Sequence, residues 1–446
     1  MPGARTQSKL PIEIVAGHRQ PSSHVCTQPQ THAYRSGFKP GTNVGAGCSC
    51  HPTGYTIIAR LAFLYIPPVA RLSGLIRSAE RATMNAEYGK AFNLMEMERI
   101  PNSTFNPAQP EVGEGLSRLK IPYLYRYWQR CWLKLKQPAK NSLEQNNEWD
   151  LENTLLAGLG LNVLETSRFV HSAAHTGFDS FEAWVIETNG GAIEEARLTR
   201  LCDALAGKPV ASAAGCLDDV TGLTAEQLAF WDQYGYVVIP NAVAASDRDA
   251  AAAAIYSFLD ANPDDPESWY GNKYGLTIWV PLLRHPAFLA NRQAPRLVKA
   301  FAQLWGREDL WATVDQGGFN PPENGRWKFP GPHVHWDASL ATPHCFGVQG
   351  ILYLTDTPPD QGAFSCIPGF HRSLQQWLNG LLPSEDPRRA ILRHPALIPI
   401  AGKAGDLVLW HQSLPHGSSP NRGSKPRVVQ YIALRPTRWE FAAEWK

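Results

Sequence analysis

The hydrophobic positions of this chain change period along its length. Between 118 and 206 they recur every three or four residues, first in "IPYLYRYWQRCWLKLKQ" (121–137), then in "DSFEAWVIET" (179–188) and "AIEEARLTRLCDALAG" (192–207). One apolar stripe per 3.6-residue turn predicts helices, the last of them capped by Gly207. Small residues at 210–215 read as a linker. A second unit opens with "LTAEQLAFWDQYGYVVIP" (223–240), in which Thr224 and Gln227 form a capping box, Gly235 stops the helix and "YVVI" begins a strand. "SDRDAAAAAIYSFLDA" (246–261) predicts another helix with Ser246 as N-cap. Beyond 310 the pattern is one of short β-branched and aromatic runs: "GVQGILYLTDT" (347–357), "GAFSCIPG" (362–369), "DLVLWHQ" (406–412) and "RVVQYIALRP" (427–436). Gly, Pro or Asp bounds each run. Strands do not alternate with helices in this half, which favours an antiparallel sandwich or barrel over a parallel sheet.

The expected organisation is therefore α+β, with a mostly helical region at 84–215 and a β-rich unit at 216–446. Residues 1–83 differ from both. They are rich in Gly, Pro, Ser, Thr, His and Gln and lack clean periodicity. Two readings stand side by side: a disordered leader, or an upstream extension foreign to the protein, with Met84 as its true start.

Composition narrows the function classes. The net charge of +2, from 42 basic and 40 acidic residues, gives no electrostatic case for nucleic acid or an anionic membrane. The best apolar run, "LAFLYIPPVA" (61–70), is too short to span a bilayer and contains two prolines. Eight scattered cysteines without a C-x-x-C pattern point to reduced thiols, and hence to the cytoplasm. "CSCH" (48–51) has no partner pair at finger spacing, so a structural zinc site is disfavoured. Fifteen tryptophans, many beyond 305, suit pocket walls as well as core. A small-molecule substrate is expected; nothing sets the oligomeric state.

The chemistry concentrates in "GPHVHWDASL" (331–340). On a strand His333, His335 and Asp337 would share one face, offering three metal ligands. A non-haem iron oxygenase needs two histidines and one carboxylate on one side of the metal, leaving the other side open. An H-x-D pair supplies two of them, and the third must come from elsewhere. Downstream, "GDLVLWHQSLPHGSSPNRGSKPRVVQYIALRP" (405–436) offers His411 and His416, and Arg427 follows eleven residues after His416. An arginine opening a buried strand needs an anion, and its fork suits a carboxylate.

Together "HWD" (335–337), "DQGAFSCIPGFHRS" (360–373), "GDLVLWH" (405–411) and "LPHGSSPNRGSKPR" (414–427) resemble the phytanoyl-CoA dioxygenase family of Fe(II)/2-oxoglutarate oxygenases. "LTAEQLAFWDQYGYVVIPNAV" (223–243) is similar to that family's opening helix and strand, and the resemblance spans about 223–436. It implies a double-stranded β-helix, a jelly-roll and cupin-like core. It implies His335, Asp337 and His416 as iron ligands, with Arg427 and Ser418 on the distal carboxylate of 2-oxoglutarate. The implied reaction uses O2, releases succinate and CO2, and hydroxylates the substrate. Family halogenases replace the carboxylate ligand with a small residue; Asp337 favours hydroxylation.

Other polar residues are weighed against plainer roles. His333 is either a pocket neighbour or a surface residue. His411 is the rival distal ligand, disfavoured by the arginine spacing. His371 is expected to hold its turn, Asp406 to cap one, and Trp336 and Trp410 to pack in the core. Asn320, Lys328 and Gln349 are candidates for touching cosubstrate or substrate, although Lys328 could equally be an exposed loop residue. Two other functions compete. One is a non-catalytic binding protein on a degenerate barrel. The other is a zinc hydrolase using H-x-H-x-D, disfavoured because Ala338 stands where that motif continues with histidine.

Overall fold

The computed structural model describes residues 117–136, 148–172, 177–212, 215–271 and 277–442. All of them lie in the larger of two compact units, Leu61–Lys446. The leader 1–83 and Met84 fall outside the described residues.

The helical layer contains α1 (Leu124–Lys136), α2 (Trp149–Gly158), α3 (Val163–His171), α4 (Phe178–Thr188) and α5 (Glu195–Leu205). Gly207 follows α5 in the left-handed conformation (φ 75°) that suits glycine past a helix end. The pattern of apolar residues does not single out α2, because buried polar residues share its inner face with Leu151, Leu155 and Leu156. Glu148, just before it, and Glu152 within it are buried against Arg126 and Arg130 of α1, at 2.6 Å for Arg126–Glu148 and 3.0 Å for Arg130–Glu152. Asn162 ties this layer to the rest. Its side chain accepts from the amides of Leu164 and Glu165, capping α3, while its amide nitrogen donates to the Val314 carbonyl at 2.6 Å.

Next come α6 (Ala225–Tyr234), β1 (Tyr236–Ile239) and α7 (Ala245–Phe258). The capping box of Thr224 and Gln227 forms at the head of α6, and Gly235 ends it at φ 73°. Ser246 is not the cap of α7. That helix starts at Ala245 after Ala244, with no side-chain cap, so Ser246 lies within its first turn. Then follow β2 (Trp279–Val280), α8 (Pro286–Gln293), α9 (Pro295–Trp305), β3 (Leu310–Ala312), β4 (Gly317–Asn320), β5 (Val348–Tyr353) and β6 (Phe364–Cys366). The chain continues with α10 (Phe370–Asn379), α11 (Pro387–Ala390), β7 (Ile398–Ile400), β8 (Leu407–His411), β9 (His416–Ser418), β10 (Arg427–Ile432) and β11 (Leu434–Pro436).

The strands form an antiparallel six-stranded sheet in the order β1-β8-β5-β10-β4-β2, a three-stranded sheet β7-β6-β9 and a two-stranded ribbon β11-β3. Alternation along each strand sorts the side chains. Val348 and Leu352 of β5, Leu407 and Leu409 of β8, and Val428 and Ile432 of β10 pack against Ile255, Phe288 and Phe301 of α7, α8 and α9. Ile351 and Tyr353, Val408 and Trp410, and Val429 face the other way, against Phe364, Cys366 and Ile400 of the three-stranded sheet. Two antiparallel sheets thus enclose a core, beside helices that cover the outer face. The run 427–436 is two strands, because the chain leaves β4 and β5 at Ala433 and β11 pairs with β3 instead.

Candidate metal centre

The segment 331–340 is not a strand. Only His335 takes part in a bridge, paired directly opposite His416 on β9. His335 N donates to His416 O at 2.8 Å, His416 N returns the bond at 2.9 Å, and Ser418 N donates to Pro332 O at 3.1 Å. Gly417 makes this approach possible: a Cβ there would stand 2.6 Å from the His333 carbonyl oxygen. Arg388 of α11 carries the far side of the loop, donating to the carbonyls of Trp336 and Ala338 at 2.8 Å each. Trp336 is buried and donates its indole N–H to Ser413 O, as a core residue should.

This zipper brings His335, Asp337 and His416 together, with one ligand atom of each within 4.8 Å of the others. His335 Nδ1 donates to the His333 carbonyl at 2.7 Å, and His416 Nδ1 donates to the Leu414 carbonyl at 3.0 Å. A carbonyl can only accept, so both rings carry a proton on Nδ1 and turn Nε2 inward. The two Nε2 atoms face Asp337, His335 at 3.2 Å from Oδ1 and His416 at 3.4 Å from Oδ2. Two imidazoles already protonated on the outer nitrogen and one carboxylate require a cation between them, either protons or a metal ion. One divalent ion with N, N and O donors satisfies all three and keeps coordination positions free.

The electrostatics agree. Enclosure alone would raise the Asp337 carboxyl, but hydrogen bonds and charge from His335 and His416 hold it well below its ordinary value. Burial alone would lower His335, and Asp337 outweighs it, raising that imidazole. Asp337 is also gripped from the large sheet. Gln349 on β5 donates to Asp337 Oδ2 at 2.8 Å while accepting from Trp410 Nε1 at 3.1 Å. Gln349 thus sets the carboxylate's orientation. Gln349→Leu should weaken Mn(II) affinity by about 10- to 100-fold, the usual effect of removing a group that orients a ligand. A titration showing wild-type affinity would deny Gln349 that role.

Arg427 begins β10 and is fully buried. Its Nη1 donates to Ser418 Oγ at 2.8 Å and its Nη2 to Tyr431 Oη at 3.4 Å, while Nε has no partner. No carboxylate pairs with it among the described residues. A buried guanidinium without a counter-ion costs several kcal/mol unless an anion joins it, and the fork fits a carboxylate. Asn320, opposite Arg427 on β4, is likewise fully buried; its amide nitrogen donates to Ser419 O and its Oδ1 is unpartnered. Sequence reasoning did not single out Tyr431, although its place four residues along β10 puts it on the face of Arg427.

The remaining expected residues lie apart. His333 is exposed and lends its carbonyl, not its ring, to the centre. The ring sits against Phe329 instead, because the loop lacks the strand geometry that would have turned it inward. Lys328 is exposed on a loop and away from the cluster. Asp406 caps its turn, accepting from Lys403 N at 2.8 Å. His371 hydrogen-bonds the Asp232 carbonyl from the first turn of α10.

His411 is no ligand. Its Nδ1 accepts from Ser413 N, and its ring lies among Trp231, Phe346 and His371. Burial pushes its imidazole down to about 4. The unfolded chain takes up that proton near the ordinary 6.5 and the folded one does not. Stability therefore falls as pH drops from about 6.5 to 4, by up to roughly 3 kcal/mol from this group. Denaturant titrations between pH 7 and 4 should show a shallower loss for His411→Asn; equal slopes would rule this origin out.

The phytanoyl-CoA dioxygenase (PhyH) family profile matches residues 231–429, which enclose His335, Asp337, Gln349, His416, Ser418 and Arg427. Over those residues the chain is similar to the phytanoyl-CoA dioxygenase family. The activity this likeness implies is that of a dioxygenase. A Dictyostelium discoideum protein named "Putative phytanoyl-CoA dioxygenase" is 24% identical over 263 residues, 47% of this chain and 74% of the relative. Among solved structures, HygX from Streptomyces hygroscopicus with nickel and 2-oxoglutarate bound is 18% identical, covering 49% of this chain and 88% of its own at a TM-score of 0.36. The carbocyclase SnoK of nogalamycin biosynthesis is also 18% identical, covering 50% and 87% at a TM-score of 0.35. No helix among the described residues is long and apolar enough to cross a membrane.

Proposed function

We propose that the chain hydroxylates a small organic molecule, lipid-like or a secondary metabolite, on a double-stranded β-helix core within 216–446. In this reading His335, Asp337 and His416 hold Fe(II), and Arg427 with Ser418 holds the distal carboxylate of 2-oxoglutarate. The observation that carries it is the convergence of the three ligand atoms within 4.8 Å in the fold that also buries an uncompensated Arg427. Bound there, iron and 2-oxoglutarate supply O2 activation coupled to release of succinate and CO2.

The chain's own residues supply the rest. The carbonyls of His333 and Leu414 fix both imidazoles with Nε2 inward, so the ligands are set before metal arrives. Gln349 holds one oxygen of Asp337, leaving the other free to coordinate. Arg427 and Ser418 fix the cosubstrate by the end remote from the chemistry, and Phe364 and Trp410 pack beside the His416 ring and shield it from water. Asp337 occupies a coordination position as a carboxylate, which supports hydroxylation over halide transfer. A hydrolase built on H-x-H-x-D finds no support, since the metal cluster does not include His333.

The test is anaerobic loading with Fe(II) and 2-oxoglutarate, followed by visible spectroscopy. A 2-oxoglutarate-dependent charge-transfer band is expected, with succinate formed on admission of O2. Absence of the band in metal-loaded protein would overturn the reading. Absence of any bound metal would point to a non-catalytic binding protein.

A further inference from the structure

Tyr353 and Tyr431 project from the same face of the large sheet, but their hydroxyls are not equally used. Tyr353 on β5 donates to Ile400 O at 2.7 Å and accepts from Phe364 N at 3.0 Å. Tyr431 on β10 accepts from Arg427 Nη2 at 3.4 Å, and among the described residues no acceptor takes its proton. Four residues along a strand span about 13 Å, so Arg427 and Tyr431 meet only by leaning toward each other over Val429. On the other side of the guanidinium, Ser418 Oγ accepts from Nη1 at 2.8 Å, and no acceptor takes its proton either among the described residues. The place of Tyr431 is prepared by the strands beside it. Gly318 on β4 lies opposite both Val429 of β10 and Trp279 of β2. A Cβ on Gly318 would stand 2.8 Å from Val429 Cγ2 and 3.1 Å from Tyr431 Cε2. Without one, the phenol lies across β4 and reaches Trp279, with ring centroids 4.8 Å apart. Trp279 is 36% exposed and ends the row.

We infer that Tyr431 is a third anchor for the cosubstrate: its hydroxyl donates to the distal carboxylate of 2-oxoglutarate beside Arg427 and Ser418, and Trp279 braces it there. The inference rests on the oxygenase reading and adds a positioning residue and its support to that site. A guanidinium flanked by two hydroxyls, each with a proton to give, suits one carboxylate, which only accepts and does so through both oxygens. No acid stands against it in the pairing: Asn320, across from Arg427, sends its amide nitrogen to Ser419 O, and its oxygen is uncharged. In the ligand-free protein the Tyr431 oxygen serves Arg427 as an acceptor. With an anion on the guanidinium the same hydroxyl turns donor, and its proton gains the partner it lacks. A donor left unpaired beside a buried charge is a cost that the anion removes.

The experiment uses the full chain loaded with Ni(II) and titrates two 2-oxo acids by calorimetry. One is 2-oxoglutarate; the other is 2-oxovalerate, which carries a methyl group where the distal carboxylate stands. Tyr431→Phe should raise the Kd of 2-oxoglutarate about 10- to 100-fold, the range for losing a hydrogen bond to a charged group, and leave that of 2-oxovalerate within about twofold. The variant deletes one oxygen and keeps the ring on Trp279, and its affinity for 2-oxovalerate reports that the metal centre is intact. Trp279→Ala should weaken 2-oxoglutarate by less, and adding it to Tyr431→Phe should weaken it no further, because the indole acts only through the hydroxyl. A further loss in the double variant would deny Trp279 that role. The inference fails if Tyr431→Phe binds 2-oxoglutarate as the wild type does. It fails also if the variant loses both acids alike, the mark of a ring that serves only the fold. A wild-type protein that holds Ni(II) but binds no 2-oxoglutarate would instead overturn the oxygenase reading, and the inference with it.

Discussion

His416→Ala is expected to abolish 2-oxoglutarate turnover, with metal affinity lowered by more than about 100-fold. That figure is the upper end of what loss of a mere orienting group does to a metal site, and His416 is proposed as a ligand itself. Its ring has three partners to lose: the proposed cation, the Asp337 carboxylate 3.4 Å away and the Leu414 carbonyl. The main-chain bonds that zip the metal loop onto β9 do not involve the imidazole, so the loop should stay in place. Removing the ring from beside Phe364 and Trp410 should cost about 1–3 kcal/mol of stability, the common range for truncating a buried side chain. The protein should therefore fold, lack metal by elemental analysis and show no charge-transfer band. His411→Asn supplies the control. His411 ends a strand only five residues earlier but lies outside the cluster, so that variant should keep full metal content. If His411→Asn loses the metal and His416→Ala keeps it, the assignment of the distal ligand is reversed.

The clustering of His335, Asp337 and His416 was legible in the sequence because the proposed chemistry is written in residue types that have few other reasons to occur at those spacings. His335, Asp337, His416 and Arg427 could be named in order without knowing which strands pair. The helix heads and the apolar strands were legible for a similar reason, since capping and alternation are local rules. What escaped depends on convergence. Gln349 is 12 positions from Asp337 and 61 from Trp410, and only pairing of β5 with β8 makes it the link between them. Arg388 looks like a surface residue of a short helix until its guanidinium is seen holding the carbonyls of Trp336 and Ala338. Those bonds explain why strand alternation failed at His333. The metal loop is held by one bridge, single bonds at Pro332 and the Trp336 indole, and one arginine, with Pro332 unable to donate to a ladder, so side chains need not alternate between faces. The helix α2 escaped because carboxylates paired with arginines are buried beside its leucines and interrupt the apolar stripe.

Arg427→Met should separate stability from function more sharply than any other substitution. In the ligand-free protein the Arg427 guanidinium is fully buried, donates to two hydroxyls and has no anionic partner among the described residues. Replacing a buried, incompletely matched charge with an apolar side chain of similar length is commonly neutral or stabilising, by about 1–4 kcal/mol. Arg427→Met should therefore match or exceed the wild-type protein in thermal stability. Toward 2-oxoglutarate the effect should be opposite. Losing one partner of a buried charge pair costs about 2–5 kcal/mol, or roughly 30- to 5000-fold in affinity. The wild-type protein with Fe(II) should gain about 2.7 kcal/mol of stability at a 2-oxoglutarate concentration 100 times its Kd, and the variant should gain less than about 1 kcal/mol there. Metal content should not change, since Arg427 touches none of the three proposed ligands. This pairing of gains and losses is the signature of a residue kept for a ligand rather than for the fold. An Arg427→Met protein that is less stable, yet still stabilised by 2-oxoglutarate as the wild type is, would show that the guanidinium serves the barrel and that the cosubstrate's distal carboxylate is held elsewhere.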